Sequence, residues 1–139
     1  MPKFIIHGGK RLKGEIHVAG SKNAALPMIA ASLLTRDPVK LTRVPEIEDV
    51  KLMILIAREL GVQVDPGDEG QYTITARDIK GSALSREHAP KIRASLLFLG
   101  PLLARAGRVT LPHPGGCALG KRQYDFFVHG FRKFGATVH

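Results

Sequence analysis

The sequence contains no tryptophan, one cysteine and few aromatic residues (6%). A single cysteine excludes an internal disulfide and is typical of proteins kept in a reducing compartment. With so few aromatic rings, the chain has little with which to stack nucleic-acid bases. Its basic residues form no run of five or six, so a disordered polybasic arm is not expected.

Long apolar runs are also missing. The longest, residues 94–104, is too short to span a bilayer and is flanked by arginines. The first nine residues carry no cleavage signature, so we expect no secretory signal and a cytoplasmic protein. The six histidines show no metal-ligand spacing, and His113, between two prolines, is interpreted as a loop residue. No glycine-rich nucleotide loop is present. Since metal-ligand spacing is missing as well, we expect neither a metal nor a cofactor.

The composition is that of one folded domain with an anionic partner. The chain has 139 residues, of which 44% are hydrophobic and 24% charged, enough for one domain with a core. The formal net charge is +9. Such a charge favours nucleic acid, a membrane surface, or a phosphorylated or carboxylated small molecule.

Apolar periodicity and turn residues predict an alternation of helices and strands. The predicted helices are 24–34, 47–60, 91–105 and 125–134, and the predicted strands are 4–6, 14–18, 39–41, 62–64, 72–76, 109–111 and one beginning at 136. The first and third helices are apolar on every side, which predicts that they lie inside the molecule. Pro101 is expected to kink or split the third helix, and Gly61 and Gly135 are expected to end the second and fourth.

Two parts of the sequence resemble each other. Residues 31–41 are similar to 101–111, and 58–64 are similar to 132–138. This pattern predicts a repeated unit of apolar helix, strand, helix and strand, with a period of about seventy residues. The second copy has a longer connection after its first strand, and that extra length, residues 111–122, is the part of the chain expected to carry function.

This connection, called the cysteine loop below (Leu111–Arg122), contains the single cysteine, Cys117. Two prolines and three glycines indicate a loop. Lys121 and Arg122 follow the cysteine, and nearby cations favour the reactive thiolate. A small buried hydrophobic residue beside two solvated charges is the alternative.

Three groups of residues that contain cations could meet and form an anion site. Lys22, with Asn23, lies at the predicted start of the first apolar helix, and helix starts attract anions. Arg93 lies at the equivalent start of the third helix. With the cations of the cysteine loop, they suggest a doubly charged ligand such as a phosphate ester. Alternatively, Lys22 is an ordinary solvated lysine and Arg93 pairs with Glu87.

Three stretches carry a family resemblance: 20–27 (GSKNAALP), 92–95 (IRAS), and 114–120 (PGGCALG) with Arg122 and Asp125. They resemble the N-terminal portion of the UDP-N-acetylglucosamine 1-carboxyvinyltransferase family, enolpyruvyl transferases of bacterial peptidoglycan synthesis. The resemblance implies an α/β (α+β) fold, an inside-out barrel of repeated β-α-β-α-β-β units around buried helices. It also implies that residues 1–21 pack with another lobe and that 22–139 form a partial lobe.

The resemblance further implies transfer of enolpyruvyl from phosphoenolpyruvate to the 3-hydroxyl of UDP-N-acetylglucosamine, without nucleic acid or membrane partners. Cys117 would be the catalytic general acid and the residue modified by fosfomycin. Lys22 and Asn23 would bind phosphoenolpyruvate, and Asn23 would also position the reacting hydroxyl and the intermediate. The residues implied to bind the UDP-sugar are Arg93, Arg122, Gln123, Tyr124, Asp125 and Phe126.

The sequence also departs from the family. After the arginine the family usually reads Pro-Val-Asp-Leu-His, whereas this chain has residues 123–127 as Gln-Tyr-Asp-Phe-Phe. Family members are much longer, so this chain is expected to be a fragment or a truncated relative, inactive alone. A non-catalytic remnant that binds UDP-sugar or regulates the enzyme is one alternative. A basic nucleic-acid-binding domain, favoured only by charge, is another.

Overall fold

The computed structural model describes residues 3–113, 115 and 123–139. The α-helices are α1 (Lys22–Ala31), α2 (Glu48–Glu59), α3 (Leu99–Ala106) and α4 (Asp125–Lys133). The strands are β1 (Val39–Leu41), β2 (Gln63–Pro66) and β3 (Tyr72–Thr75), and three short 3₁₀ helices span Ser32–Leu34, Ala89–Lys91 and Arg93–Phe98. Among the described residues, no helix has the length and apolarity needed to cross a bilayer.

The three strands form one antiparallel sheet in the order β1-β3-β2. Ile74 in β3 lies opposite both Val39 and Val64 and is fully buried. The turn between β2 and β3 is closed by a 2.8 Å bond from the Gly67 N–H to the Gln71 carbonyl. The predicted hairpin is therefore confirmed, because alternating side chains and a glycine-rich turn both specify it.

Helix α1 is buried on one face only. Leu26 and Ile29 of α1 contribute to the core, whereas Met28 is about half exposed (49%). In the 3₁₀ helix that follows, Leu33 is buried and Leu34 is 54% exposed. The prediction that this segment lies wholly inside the molecule is therefore wrong for the described residues. Helix α2 and the 3₁₀ helix Arg93–Phe98 pack against α1, and together they cover only one of its faces.

The predicted helix 91–105 is split. A 3₁₀ helix over Arg93–Phe98 is followed directly by α3, so Pro101 is the third residue of a new helix. At that position its missing N–H costs no intrahelical hydrogen bond. The predicted split therefore occurs, and the break falls three residues before the proline rather than at it.

Four predicted strand regions do not form strands within the described part of the chain. Residues 4–6 and 14–18 make no strand ladder, and Phe4 (96%) and Ile16 (87%) are almost fully exposed. The prediction fails because a strand needs a pairing edge as well as an alternating sequence. Among the described residues, 109–111 form a single parallel bridge, between Thr110 and Ala83, and 136–138 have no assigned secondary structure.

The structure supports the predicted repeat at the ends of α2 and α4. Both helices end in a glycine with positive φ, +86° at Gly61 and +90° at Gly135. Both also carry an arginine whose guanidinium donates to the carbonyl six residues later: Arg58 to Val64 (2.7 Å) and Arg132 to Val138 (3.3 Å). A glycine and an arginine at equivalent positions thus end the helix in the same way in both parts of the predicted repeat.

Arg105, in the last turn of α3, joins three parts of the fold. One guanidinium nitrogen donates to the carbonyls of Leu33 and Thr35, at 2.8 and 3.0 Å. The other donates to the carbonyls of Ala76 and Arg77, at 3.0 and 3.1 Å. The side chain therefore fastens α3 to the end of the first helical segment and to the chain leaving β3. Sequence reasoning missed this role.

Replacing Gly61 with alanine is expected to lower the free energy of unfolding by about 1–2 kcal/mol. Its φ is +86°, and an added Cβ would lie 2.7 Å from Cγ of Lys80. The matched control is Gly100→Ala in α3. Apart from its chain neighbours and the backbone of the same helix, no atom of the described residues lies within 4 Å of the added methyl, and helix propensity favours alanine. Urea unfolding of both variants measures the difference; equal stabilities would contradict this account of Gly61.

Candidate active site

Lys22 is the first residue of α1, and Asn23, the second, is exposed. Ser21 occupies the N-cap position, but its side chain makes no capping hydrogen bond; its carbonyl accepts from the Ala25 N–H at 2.9 Å. The first turn contains no acidic residue. The start of α1 therefore presents a cation and exposed polar groups at an end that attracts anions.

The Lys22 ammonium forms an ion pair with the carboxylate of Asp49. Asp49 lies in the first turn of α2, and the packing of α1 against α2 brings the two side chains together. The side chains are 51% and 37% exposed, respectively. Lys22 is thus neither freely solvated nor buried, and sequence reasoning missed its partner. The acidic pair Glu48–Asp49 at a predicted helix start was the available signal.

The neighbouring carboxylate has a different partner. Glu48 accepts a hydrogen bond from the Lys51 ammonium at 3.0 Å. That hydrogen bond, with the charge of Glu48, raises the pKa of Lys51 above its ordinary value. The two adjacent acids of α2 therefore pair with different lysines, Glu48 with Lys51 and Asp49 with Lys22.

Arg93 is the first residue of its 3₁₀ helix, and its guanidinium donates to the backbone carbonyl of Gln123 at 2.9 Å. The alternative partner, Glu87, lies 3.4 Å from the Lys91 ammonium and 3.4 Å from Nε2 of His88. Two residues predicted to bind the UDP-sugar, Arg93 and Gln123, are therefore brought together.

Gly115, on the other side of Cys117, packs against the same segment. A Cβ at this position would overlap the carbonyl oxygen of Pro90, so only glycine allows this approach. Gly115 and Gln123, the described residues on either side of residues 116–122, thus both contact residues 90–93. The predicted site residues Cys117 and Arg122, with Lys121, lie outside the described residues.

Tyr124 and His113 contact each other at the base of the cysteine loop. Their rings meet edge to face with centroids 5.5 Å apart, and the phenol lies 3.1 Å from Nδ1 of His113. Beside this contact is a shallow depression of about 300 Å³, lined by Gln123, Tyr124, Asp125 and Val128. Phe126, also predicted to bind the sugar nucleotide, is 84% exposed on α4.

A second polar cluster, around His88, does not have the geometry of a catalytic relay. Nδ1 of His88 lies 2.7 Å from a Glu59 carboxylate oxygen and 3.3 Å from the Ser85 hydroxyl. The Glu59 carboxylate and the Ser85 hydroxyl approach the same ring nitrogen. The acid near the opposite nitrogen, Glu87, lies 3.4 Å away and is 74% exposed, so it is not the buried, hydrogen-bonded acid that a relay needs. The Ser85 hydroxyl accepts from the backbone N–H groups of Glu87 and His88, so the cluster stabilises a turn.

Comparison with known proteins identifies the family. The family model described as EPSP synthase (3-phosphoshikimate 1-carboxyvinyltransferase) matches residues 6–139. Two UDP-N-acetylglucosamine 1-carboxyvinyltransferases of Carboxydothermus hydrogenoformans are 49% and 43% identical over 138 residues, and that of Akkermansia muciniphila is 41% identical. These alignments cover 99% of this chain but only 32–33% of each relative, so the chain spans about a third of their length.

A solved structure agrees. The enolpyruvyl transferase NikO from Streptomyces tendae superposes with a TM-score of 0.66 and 28% identity, over 73% of this chain and 24% of that protein. The mixed α/β arrangement is that of an enolpyruvyl transferase, although 139 residues do not show a whole barrel. The chain therefore belongs to the EPSP synthase family of carboxyvinyl (enolpyruvyl) transferases.

Proposed function

We propose that this chain is the N-terminal part of a UDP-N-acetylglucosamine 1-carboxyvinyltransferase. The complete protein would transfer enolpyruvyl from phosphoenolpyruvate to the 3-hydroxyl of UDP-N-acetylglucosamine and release phosphate. The observation that carries the proposal is 41–49% identity over 99% of the chain to relatives named for that reaction. Helix α1 and the 3₁₀ helix Arg93–Phe98 pack together, and each begins with a cation, which supports the proposal.

The chemistry requires an acid and a set of cations. The phosphoenolpyruvate methylene takes up a proton, while the sugar hydroxyl loses its own proton and bonds to the adjacent carbon. The new methyl group then gives up a proton as the carbon–oxygen bond to phosphate breaks, which restores the double bond and releases phosphate. We assign the proton donor to Cys117, since a positioned acid accelerates protonation at carbon. We assign charge neutralisation to Lys22, Arg93 and Arg122, because fixed cations stabilise a concentrated anion in the transition state.

The sugar nucleotide is assigned to the end of the cysteine loop and the residues that follow it, together with Arg93. The residues that would contact it are Arg93, Arg122, Gln123, Tyr124, Asp125 and Phe126. The shallow depression beside Tyr124 supports this assignment, because Gln123, Tyr124 and Asp125 all line it. Asn23, exposed beside Lys22, would position the reacting hydroxyl.

We further infer that residues 22–139 are part of one lobe of an inside-out barrel of repeated β-α-β-α-β-β units. Residues 1–21 would pack with the other lobe, which would cover side chains such as Phe4, Leu12 and Ile16, now more than four-fifths exposed. In the cell, the protein would act in the cytoplasm at the first committed step of peptidoglycan synthesis. It would thus contribute to cell-wall biogenesis, cell shape and division and be a target of fosfomycin.

The test is turnover by the protein encoded by the complete reading frame that contains this chain. With phosphoenolpyruvate, we expect phosphate release with UDP-N-acetylglucosamine and none with 3-phosphoshikimate, the acceptor in the family model's name. Mass spectrometry should show the enolpyruvyl sugar nucleotide. Residues 1–139 alone should give no turnover. Release with 3-phosphoshikimate instead, or with neither acceptor, would contradict the proposal.

A further inference from the structure

The partner of Lys22 suggests a role for a residue to which nothing above assigns a function in the reaction. Asp49 holds the Lys22 ammonium in an ion pair, and both side chains remain partly open to solvent. We propose that Asp49 is a positioning residue of the phosphoenolpyruvate site, which fixes the Lys22 ammonium at the start of α1. This inference rests on the proposed function, in which Lys22 binds the phosphoenolpyruvate anion.

A lysine needs such a partner because its stem is long and flexible. Its ammonium has three N–H donors on four rotatable carbons, and ordering it costs rotamer entropy. If Asp49 accepts one donor before substrate arrives, the other two remain available to the anion and less entropy is lost on binding. Lys22 is 51% exposed, so its ammonium stays accessible.

The carboxylate must hold the cation without repelling the substrate. Asp49 lies in the first turn of α2, where the N-terminal helix dipole offsets negative charge. Its charge is also balanced by the lysine that it holds. Positioning of the lysine should therefore outweigh repulsion of the substrate. If positioning dominates, removing the Asp49 charge raises the KM for phosphoenolpyruvate; if repulsion dominates, it lowers that KM.

The experiment uses the complete enzyme with Asp49→Asn, which keeps the shape and removes the charge. We expect the KM for phosphoenolpyruvate to rise roughly tenfold, kcat to fall less, and the KM for UDP-N-acetylglucosamine to stay unchanged. Asp49→Glu should restore most of the lost affinity, because it returns the carboxylate. The melting temperature should stay within about 2 °C of the parent protein's.

Glu48→Gln is the matched control. It removes one negative charge from the same turn of α2, but Glu48 pairs with Lys51 instead of Lys22. It should leave both KM values unchanged. In a Lys22→Ala background, Asp49→Asn should have no further effect, because a residue that acts through another loses its influence when that partner is removed.

Four outcomes would overturn the inference while turnover by the unaltered enzyme still supports the proposed function. They are a KM for phosphoenolpyruvate that falls in Asp49→Asn, one that does not change, an equal rise in Glu48→Gln, and an undiminished effect in the Lys22→Ala background. A fall would mean that Asp49 competes with the substrate for the lysine. Absence of turnover in the unaltered enzyme would overturn the proposed function and this inference with it.

Discussion

Replacing Arg105 with alanine should lower the free energy of unfolding by about 3–5 kcal/mol. The guanidinium donates to four carbonyls, those of Leu33, Thr35, Ala76 and Arg77. Three of these bonds are partly buried, so the acceptors would lose a charged donor where water only partly replaces it. Urea unfolding followed by circular dichroism gives the difference.

Two variants separate this role from a simple loss of charge. Arg108→Ala removes an exposed arginine three residues later and should change stability by less than about 0.5 kcal/mol. Arg105→Lys keeps the charge, but an ammonium lacks the planar fork that reaches both pairs of carbonyls. It should therefore fall between the parent and the alanine variant. If Arg105→Ala were no more destabilising than Arg108→Ala, the described contacts would not hold α3 in place.

The second large effect concerns Cys117 in the complete enzyme. Replacing it with alanine should reduce kcat by at least about a hundredfold, because a positioned general acid contributes roughly 10²–10⁴ to the rate. Phosphate release from phosphoenolpyruvate and UDP-N-acetylglucosamine measures the loss. Cys117→Ser should lose nearly as much, because a hydroxyl is a far weaker acid than a thiol.

Binding distinguishes lost chemistry from a damaged site. Calorimetric titration should give the same affinity for UDP-N-acetylglucosamine in Cys117→Ala as in the parent enzyme, because the assigned contacts to the sugar nucleotide do not involve the thiol. Near-normal turnover in Cys117→Ala would contradict the assignment of the acid. Loss of sugar-nucleotide binding together with turnover would show instead that Cys117 maintains the site.

Local sequence patterns predicted the fold well where their signals agree. Helix α2 has apolar side chains at helical spacing and a glycine at its end, and the β2–β3 hairpin combines alternation with a glycine-rich turn. Both were confirmed. The strands at 4–6 and 14–18 were wrong, because the alternation of side chains does not provide the edge on which a strand pairs. The partial exposure of α1 has a similar cause, since it depends on how many elements pack around the helix.

The candidate site shows the same limit. A cation at a helix start can be recognised along the chain, as with Lys22 and Arg93. Its partner comes from another element and is set by tertiary packing: Asp49 lies 27 residues from Lys22, and Gln123 lies 30 from Arg93. Arg105 was missed for the same reason, because its four acceptors lie 28–72 residues away.

The most direct test of the account is covalent labelling of the complete enzyme by fosfomycin, followed by peptide mapping. The account places a reactive thiol and an anion-binding lysine in one site, so the phosphonate should be held by the cations while the thiolate opens the epoxide. We expect the adduct on Cys117, in the peptide between Arg108 and Lys121, with much slower labelling in Lys22→Ala. Two results would contradict the account. One is an unmodified Cys117 in an enzyme whose other thiols react, and the other is a labelling rate in Lys22→Ala equal to that of the parent enzyme.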